Sequence, residues 1–63
     1  MKRRELLKRL KEAAQQRGMA LEFVRSGGRH DIYRVGDYRF PVGRHADIPE
    51  LTALKTIKEV ENL

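Results

Sequence analysis

The residues best suited to chemistry in this sequence are its two histidines, His30 and His45, each of which follows an arginine. Histidine exchanges protons near neutral pH, and a nearby arginine can offset the charge of a phosphate. A histidine beside arginines could therefore take the proton of an RNA 2′-hydroxyl, or protonate the leaving oxygen, without a metal. His30 is the candidate catalytic residue on this interpretation. The alternative is that both are ordinary surface histidines, because Arg-His pairs arise easily by chance in a basic chain.

Several residues around these histidines are candidates for contact with a nucleic acid. Arginine can grip a phosphate with two hydrogen bonds, and glycine lets a phosphate approach the backbone, although a glycine pair between strands is also common in hairpins. The candidates are Arg25, Gly28, Arg29, Arg34, Arg44 and His45. Two histidines are too few ligands for a metal site, and Asp31 and Asp47 complete no recognised spacing, so we expect neither a metal nor another cofactor.

The composition favours a single small domain, residues 1–63, that meets a polyanion. Fourteen Lys and Arg against nine Asp and Glu give a net charge of +5, which suits RNA, although such charge can also serve solubility alone. The absence of cysteine excludes disulfides and thiolate metal sites, and it fits a reducing cytosol. No apolar run approaches the roughly 20 residues that span a bilayer, and no signal peptide is evident. We therefore expect a cytoplasmic protein with no membrane contact.

The periodicity of the apolar residues predicts five elements that would position these candidates. The first is a helix over 2–17 with the apolar stripe Leu6, Leu7, Leu10, Ala13 and Ala14. Gly18 can end this helix in a left-handed conformation, and Gly36 can provide the positive φ of a two-residue hairpin turn. The other predicted elements are strands over 19–25, 29–35 and 38–42, and a second helix that runs to about Asn62.

The third strand and the second helix carry further expectations. Pro41 cannot donate a backbone hydrogen bond, so the third strand should lie at an edge of the sheet. Asp47 is expected to cap the second helix, with Pro49 in its first turn and Glu50 as the acid of a capping box. The apolar stripe of this helix is predicted to be Leu51, Leu54, Ile57 and Val60.

The order of these elements predicts an α+β fold, α-β-β-β-α, with a three-stranded antiparallel sheet and two helices on one face. The other face would stay open to solvent or a partner. Strand parity places His30, Ile32 and Arg34 on one face, and Tyr33 and Val35 on the other. We favour the arrangement in which Tyr33 and Val35 face the helices and His30 lies on the open face. In the reverse arrangement Ile32 would face the core and His30 would sit at its margin.

Four parts of the chain resemble the HicA toxins of bacterial toxin–antitoxin pairs, and together they cover nearly the whole sequence. The opening Lys2-Arg3-Arg4-Glu5-Leu6-Leu7-Lys8-Arg9-Leu10 is similar to the first helix of the family. Val24-Arg25 and Gly28-Arg29-His30-Asp31-Ile32-Tyr33 resemble its strand and its Gly-Ser-His segment. Phe40-Pro41-Val42-Gly43-Arg44-His45 is similar to its Val-Pro-His region. Asp47-Ile48-Pro49 and Leu54-Lys55-Thr56-Ile57 resemble its last helix.

This resemblance implies a specific fold, activity and partner. HicA toxins have a fold like a double-stranded-RNA-binding domain and are small, metal-independent ribonucleases that cut messenger RNA with a single catalytic histidine. That histidine corresponds to His30. The antitoxin of the pair, HicB, binds the toxin and covers its site, so a HicB-like protein is the implied partner.

The sequence also departs from the family pattern. Arg29 stands where the family has serine, which could change how a phosphate is held, and residues 15–19 make a longer link than usual. Two alternatives therefore remain open. One is a binding module that grips duplex RNA by shape and charge without cleaving it. The other is a degenerate toxin that only binds its antitoxin.

Overall fold

The computed structural model describes residues 1–63 as two helices and one sheet. The elements are α1 (Arg3–Gln16), β1 (Leu21–Gly27), β2 (His30–Val35), β3 (Tyr38–Gly43) and α2 (Glu50–Glu61). The strands form an antiparallel sheet in the order β1-β2-β3, and both helices contribute to one apolar cluster with a single face of that sheet. The predicted α+β order is confirmed, and so is the edge position of the strand that contains Pro41. Neither helix is long and apolar enough to cross a membrane.

Helix α1 forms where the apolar spacing predicts it. Leu6, Leu10, Ala13 and Ala14 are buried along one side of the helix. The helix ends because Gly18 takes a φ of +71°, which turns the chain back over the last turn. The amide of Met19 then donates to the carbonyl of Ala14 at 2.8 Å, and the amide of Gly18 donates to the carbonyl of Gln15 at 3.0 Å.

The first hairpin is longer than its sequence pattern predicts. Strand β1 continues through Ser26 to Gly27, which pair with Asp31 and His30, so that only Gly28 and Arg29 form the turn. The register shifts between Phe23 and Arg25, where Val24 is the extra residue of a bulge. Pairing resumes after the bulge at Arg25, opposite Ile32, and continues to Gly27. Strand β3 likewise extends one residue further than predicted, to Gly43.

The faces of the sheet follow the favoured parity. Val35 is fully buried, and Tyr33 packs against the core. His30, Ile32 and Arg34 therefore lie on the open face, with the imidazole of His30 exposed. The second hairpin turns at Gly36, whose φ of +60° is the positive angle that the tight turn requires.

The start of helix α2 corrects the predicted capping. The N-cap is Pro49, and no side chain caps the helix. Asp47 instead lies beside Lys2, with 3.3 Å between carboxylate and ammonium, and Glu50 lies 3.0 Å from the terminal amine of Met1. These acids are withdrawn from capping because the first residues of the chain pair with residues 46–48.

The buried stripe of α2 also differs from the prediction. The buried residues are Ala53, Ile57 and Val60, whereas Leu51 is 83 % exposed and Leu54 is 43 % exposed. A step of three residues falls about 60° short of a full helical turn, so repeated steps of three rotate away from the core. Leu51 thus lies on the opposite side of the helix from Val60. Small Ala53, at 0 % exposure, takes the place in the core that the leucines were predicted to fill.

Candidate functional site

His30 lies in a row of three residues that crosses the open face of the sheet. Its partner in β1 is Gly27 and its partner in β3 is Gly43. Directly opposite residues of adjacent strands project to the same face, so neither neighbour contributes a side chain that would cover the imidazole. The Cδ2 atom of His30 lies 4.0 Å from the position that a Cβ of Gly43 would occupy. The two glycines therefore leave the imidazole open to a ligand.

Arg25 occupies the space above Gly27. Its Nη1 atom lies 2.8 Å from where a Cβ on Gly27 would stand. Because the bulge at Val24 pairs Arg25 with Ile32, its side chain is on the same face as His30. A guanidinium is thus placed beside the row of His30, where it can contact a phosphate bound over the sheet.

A cleft of about 270 Å³ on the other side of His30 runs between the end of β3 and the start of α2. Both histidines of the chain line it, although they are fifteen positions apart in sequence, and we call it the histidine cleft. Both imidazoles are exposed. The remaining lining residues are Leu6, Pro41, Gly43, Asp47, Ile48, Pro49, Thr52 and Thr56.

A second cleft, of about 340 Å³, adjoins the first through His45. It is lined by Gly28, Arg29, Arg44 and His45. Four of the predicted contact residues thus come from two separate turns, the β1–β2 turn and the segment after β3. No acidic side chain lines this cleft, so it presents positive charge to an anion.

Asp31, in β2, joins helix α1 to the segment after β3 that carries Arg44. Its carboxylate accepts a hydrogen bond from Arg3 at 2.8 Å and another from Arg44 at 2.9 Å. The hydrogen bond from Arg44 lowers the pKa of Asp31 below its usual value, against the opposing effect of burial. Arg3 also donates through Nε to the carbonyl of Gly43 at 2.8 Å. The carboxylate next to His30 in sequence therefore fixes where Arg44, the neighbour of His45, is placed.

Arg34 is the predicted contact residue that the structure places apart from the others. It lies four residues from His30 along β2, about 13 Å at 3.3 Å per residue, and its guanidinium pairs with Glu22 at 3.1 Å. It is on the open face but does not line either cleft.

Several residues of this surface were not among the predicted site residues, and Arg39, Thr52 and Thr56 are three of them. Arg39 lies opposite Arg34 on the open face, and its parity against Tyr38 and Phe40 in β3 would have indicated this. Thr52 and Thr56 line the histidine cleft from α2. Their position depends on the buried stripe of α2, which the sequence pattern misplaced.

No group of three or more His, Cys, Asp or Glu side chains lies close enough together to hold a metal ion. No protein-family model, no curated protein and no solved structure matches this chain.

Proposed function

We propose that this chain is a metal-independent endoribonuclease, a toxin similar to HicA, in which His30 transfers a proton during the cleavage of messenger RNA. The proposal rests on the environment of His30. Its exposed imidazole stands between two glycines on the open face, with the guanidinium of Arg25 on one side and a cleft on the other. The short segments that resemble HicA, above all Gly28-Arg29-His30, add to this support.

The proposed reaction needs only a proton carrier and cations. The 2′-oxygen of a ribose loses its proton and attacks the adjacent phosphorus, the bond from phosphorus to the 5′-oxygen breaks, and that oxygen gains a proton. The products are a 2′,3′-cyclic phosphate and a 5′-hydroxyl. His30 takes one of the two proton transfers. Arg25, which lies beside Gly27, and Arg29 and Arg44, which line the adjoining cleft, would offset the charge that develops on the phosphoryl oxygens.

The test is RNA cleavage by purified protein in a buffer that contains a metal chelator. Native protein should convert a single-stranded RNA into fragments that end in cyclic phosphate, and His30→Ala should not. Gln15→Ala is the matched control, because Gln15 is exposed on α1 and lines neither cleft. Circular dichroism should show the same fold for all three proteins. Equal cleavage by native and His30→Ala protein would contradict the assignment.

A HicB-like antitoxin is the partner that goes with this proposal, and both would act in the cytoplasm, where messenger RNA is translated. The exposed side of α2 supports such a partner. Leu51 and Leu54 are exposed there beside Lys55 and Lys58, and a solvent-facing apolar pair flanked by lysines suits an acidic protein with apolar side chains of its own. A protein bound there would also lie at the edge of the histidine cleft, because Thr52 follows Leu51 and lines it.

A binding module without catalysis is the second candidate, and the exposed side of α1 favours it. Arg4, Lys8 and Lys11 recur there at intervals of four and three residues and are all exposed. Such a stripe can follow the phosphates of a duplex. This function predicts duplex binding that weakens steeply with salt, no cleavage products, and no effect of His30→Ala on affinity. A third possibility, a toxin that has lost activity, predicts antitoxin binding alone.

A further inference from the structure

We infer that His45 is a second catalytic residue, which works with His30 as an acid–base pair across one bound phosphodiester. The inference rests on the proposed ribonuclease function and changes it, because a single-histidine mechanism needs water or substrate for the second proton transfer. The observation behind it is that the two histidines line the same cleft from different segments of the fold. Both are exposed and no acceptor within the chain occupies their ring nitrogens.

The segment that carries His45 is held in place at several points. Its neighbour Arg44 donates to Asp31 at 2.9 Å, and the carbonyl of Ala46 accepts from the amide of Arg3 at 2.8 Å. The amide of Ile48 donates to the carbonyl of Met1 at 2.7 Å. A loop that is fixed before and after His45 holds this residue at the cleft, so substrate binding need not order the loop first. Catalytic geometry depends on such preorganisation.

The histidine cleft, with a volume of about 270 Å³, offers room and complementary charge for a phosphodiester. Gly43 forms part of its wall, where a Cβ would come 3.5 Å from Ile48 and 4.0 Å from His30, so the missing side chain leaves that space free. Helix α2 begins at the same cleft without a side-chain cap, and its first amide groups add partial positive charge at that end. The charged groups around the histidines are Asp47 in the cleft, Lys2 paired with it, Arg25 over Gly27, and Arg29, Arg44 and Asp31 on the adjoining side.

Two histidines can complete the proton balance of the reaction without another reactant. One neutral imidazole takes the proton of the 2′-hydroxyl as the new bond to phosphorus forms. The other, as imidazolium, gives a proton to the departing 5′-oxygen as its bond to phosphorus breaks. After cleavage the base is an imidazolium and the acid is a neutral imidazole. Proton exchange with water then restores the starting protonation of both. Such a mechanism predicts a rate that rises and then falls with pH, with one limb from each histidine.

The test compares two substrates that differ in one atom. Each is a short oligonucleotide with a single ribonucleotide, and the leaving atom is either the natural 5′-oxygen or a 5′-sulfur, which departs without help from an acid. With the oxygen substrate, His30→Gln and His45→Gln should each lower kcat by about 100-fold or more, since general acid–base catalysis contributes roughly 10²–10⁴. With the sulfur substrate, only the variant that lacks the acid should return to within about 10-fold of the native rate.

The outcomes separate this inference from the proposed function. Rescue of His45→Gln makes His45 the acid, and rescue of His30→Gln makes His45 the base; either result supports the pair, and each variant should also lose one limb of the pH profile. A His45→Gln protein with native kcat and a native pH profile would overturn the inference and leave the ribonuclease intact. So would rescue of neither variant. Native protein that cleaves neither substrate would overturn both.

Discussion

Replacing Leu51 and Ile57 by alanine should change the stability of this protein by very different amounts, although both are large apolar residues of α2. Ile57 is 8 % exposed, and removal of a buried isoleucine side chain costs about 2–5 kcal/mol. Leu51 is 83 % exposed, so only about a sixth of it is withdrawn from water. Full burial of a leucine is worth about 1.5–3 kcal/mol, which leaves less than about 0.5 kcal/mol for Leu51. Leu54, at 43 % exposure, should lie between them.

Thermal and urea unfolding followed by circular dichroism measure this difference directly. A domain of this size has a stability of about 3–9 kcal/mol and loses roughly 4–8 °C in Tm for each kcal/mol. Ile57→Ala should therefore lower Tm by at least about 8 °C or unfold the protein, and Leu51→Ala should lower it by less than about 4 °C. Equal losses at the two positions, or a larger loss at Leu51, would show that the buried stripe of α2 is not Ala53, Ile57 and Val60.

The same variants separate folding from partner binding. If the exposed side of α2 binds an acidic antitoxin, Leu51→Ala should weaken that complex although it barely affects stability. The partner to test is the product of any neighbouring gene that resembles HicB, with affinity measured by calorimetry. Gln15→Ala is again the control, because Gln15 is exposed on the other helix. Unchanged affinity for Leu51→Ala would exclude this side of α2 as the interface.

Three further predictions concern the site and its supports. A Cβ at Gly27 would crowd the flexible end of Arg25, at 2.8 Å, and would make an ordinary contact with the carbonyl of His30, at 3.6 Å. Gly27→Ala should therefore displace that guanidinium and weaken RNA binding as Arg25→Ala does, with little change in Tm; native affinity would contradict the placement of Arg25. The pKa of Asp31 is lowered from 3.8, chiefly by the hydrogen bond from Arg44, so its stabilising effect is complete above about pH 4 and is lost as the pH falls through the lower, folded value. Asp31→Asn should therefore be less stable than native protein at pH 7 in urea titrations, with a smaller difference in strong acid, whereas a difference independent of pH would refute the assigned role. Burial and a neighbouring carboxylate raise the pKa of Tyr38 from 10.0 to about 12, so native protein should lose stability as the pH rises through this range, and Tyr38→Phe should lose less.

The sequence predicts the elements of this fold better than their edges. Helix α1 carries its apolar residues at unbroken helical spacing and ends at a glycine, so both its face and its end follow from the chain itself. The full extent of strand β1 could not be predicted in the same way. Its pairing beyond the bulge at Val24 depends on contacts with β2, which lie outside the local sequence. The predicted buried stripe of α2 is wrong for a related reason. Its start offers both leucines and alanine, and only the close packing of the two helices selects Ala53.

The candidate site likewise has one part that the local sequence predicts and another that it does not. Parity within β2 is a local property, so the sequence predicts that His30 lies on the face opposite Val35. The burial of Val35, which puts His30 on the open face, is what the structure adds to a sequence that favours this arrangement over its reverse. The proximity of His45 could not be predicted, because it depends on pairing between residues 1–3 and residues 46–48, which are more than forty positions apart. The spacing of apolar residues along the sequence does not indicate contacts between segments so far apart.

These long-range contacts give the N-terminal segment a role in the site as well as in the fold. Arg3 begins helix α1, donates to the carbonyl of Gly43 and pairs with Asp31, so it joins the helix to β2 and β3, the strands that contribute residues to the histidine cleft. Gly43 and Asp31 are in turn the neighbours of His30, one across the sheet and one along the strand. The geometry around His30 is thus fixed from α1, and the position of His45 depends on the same residues. The two histidines should therefore be disturbed together by any change that detaches the first turn of α1 from the sheet.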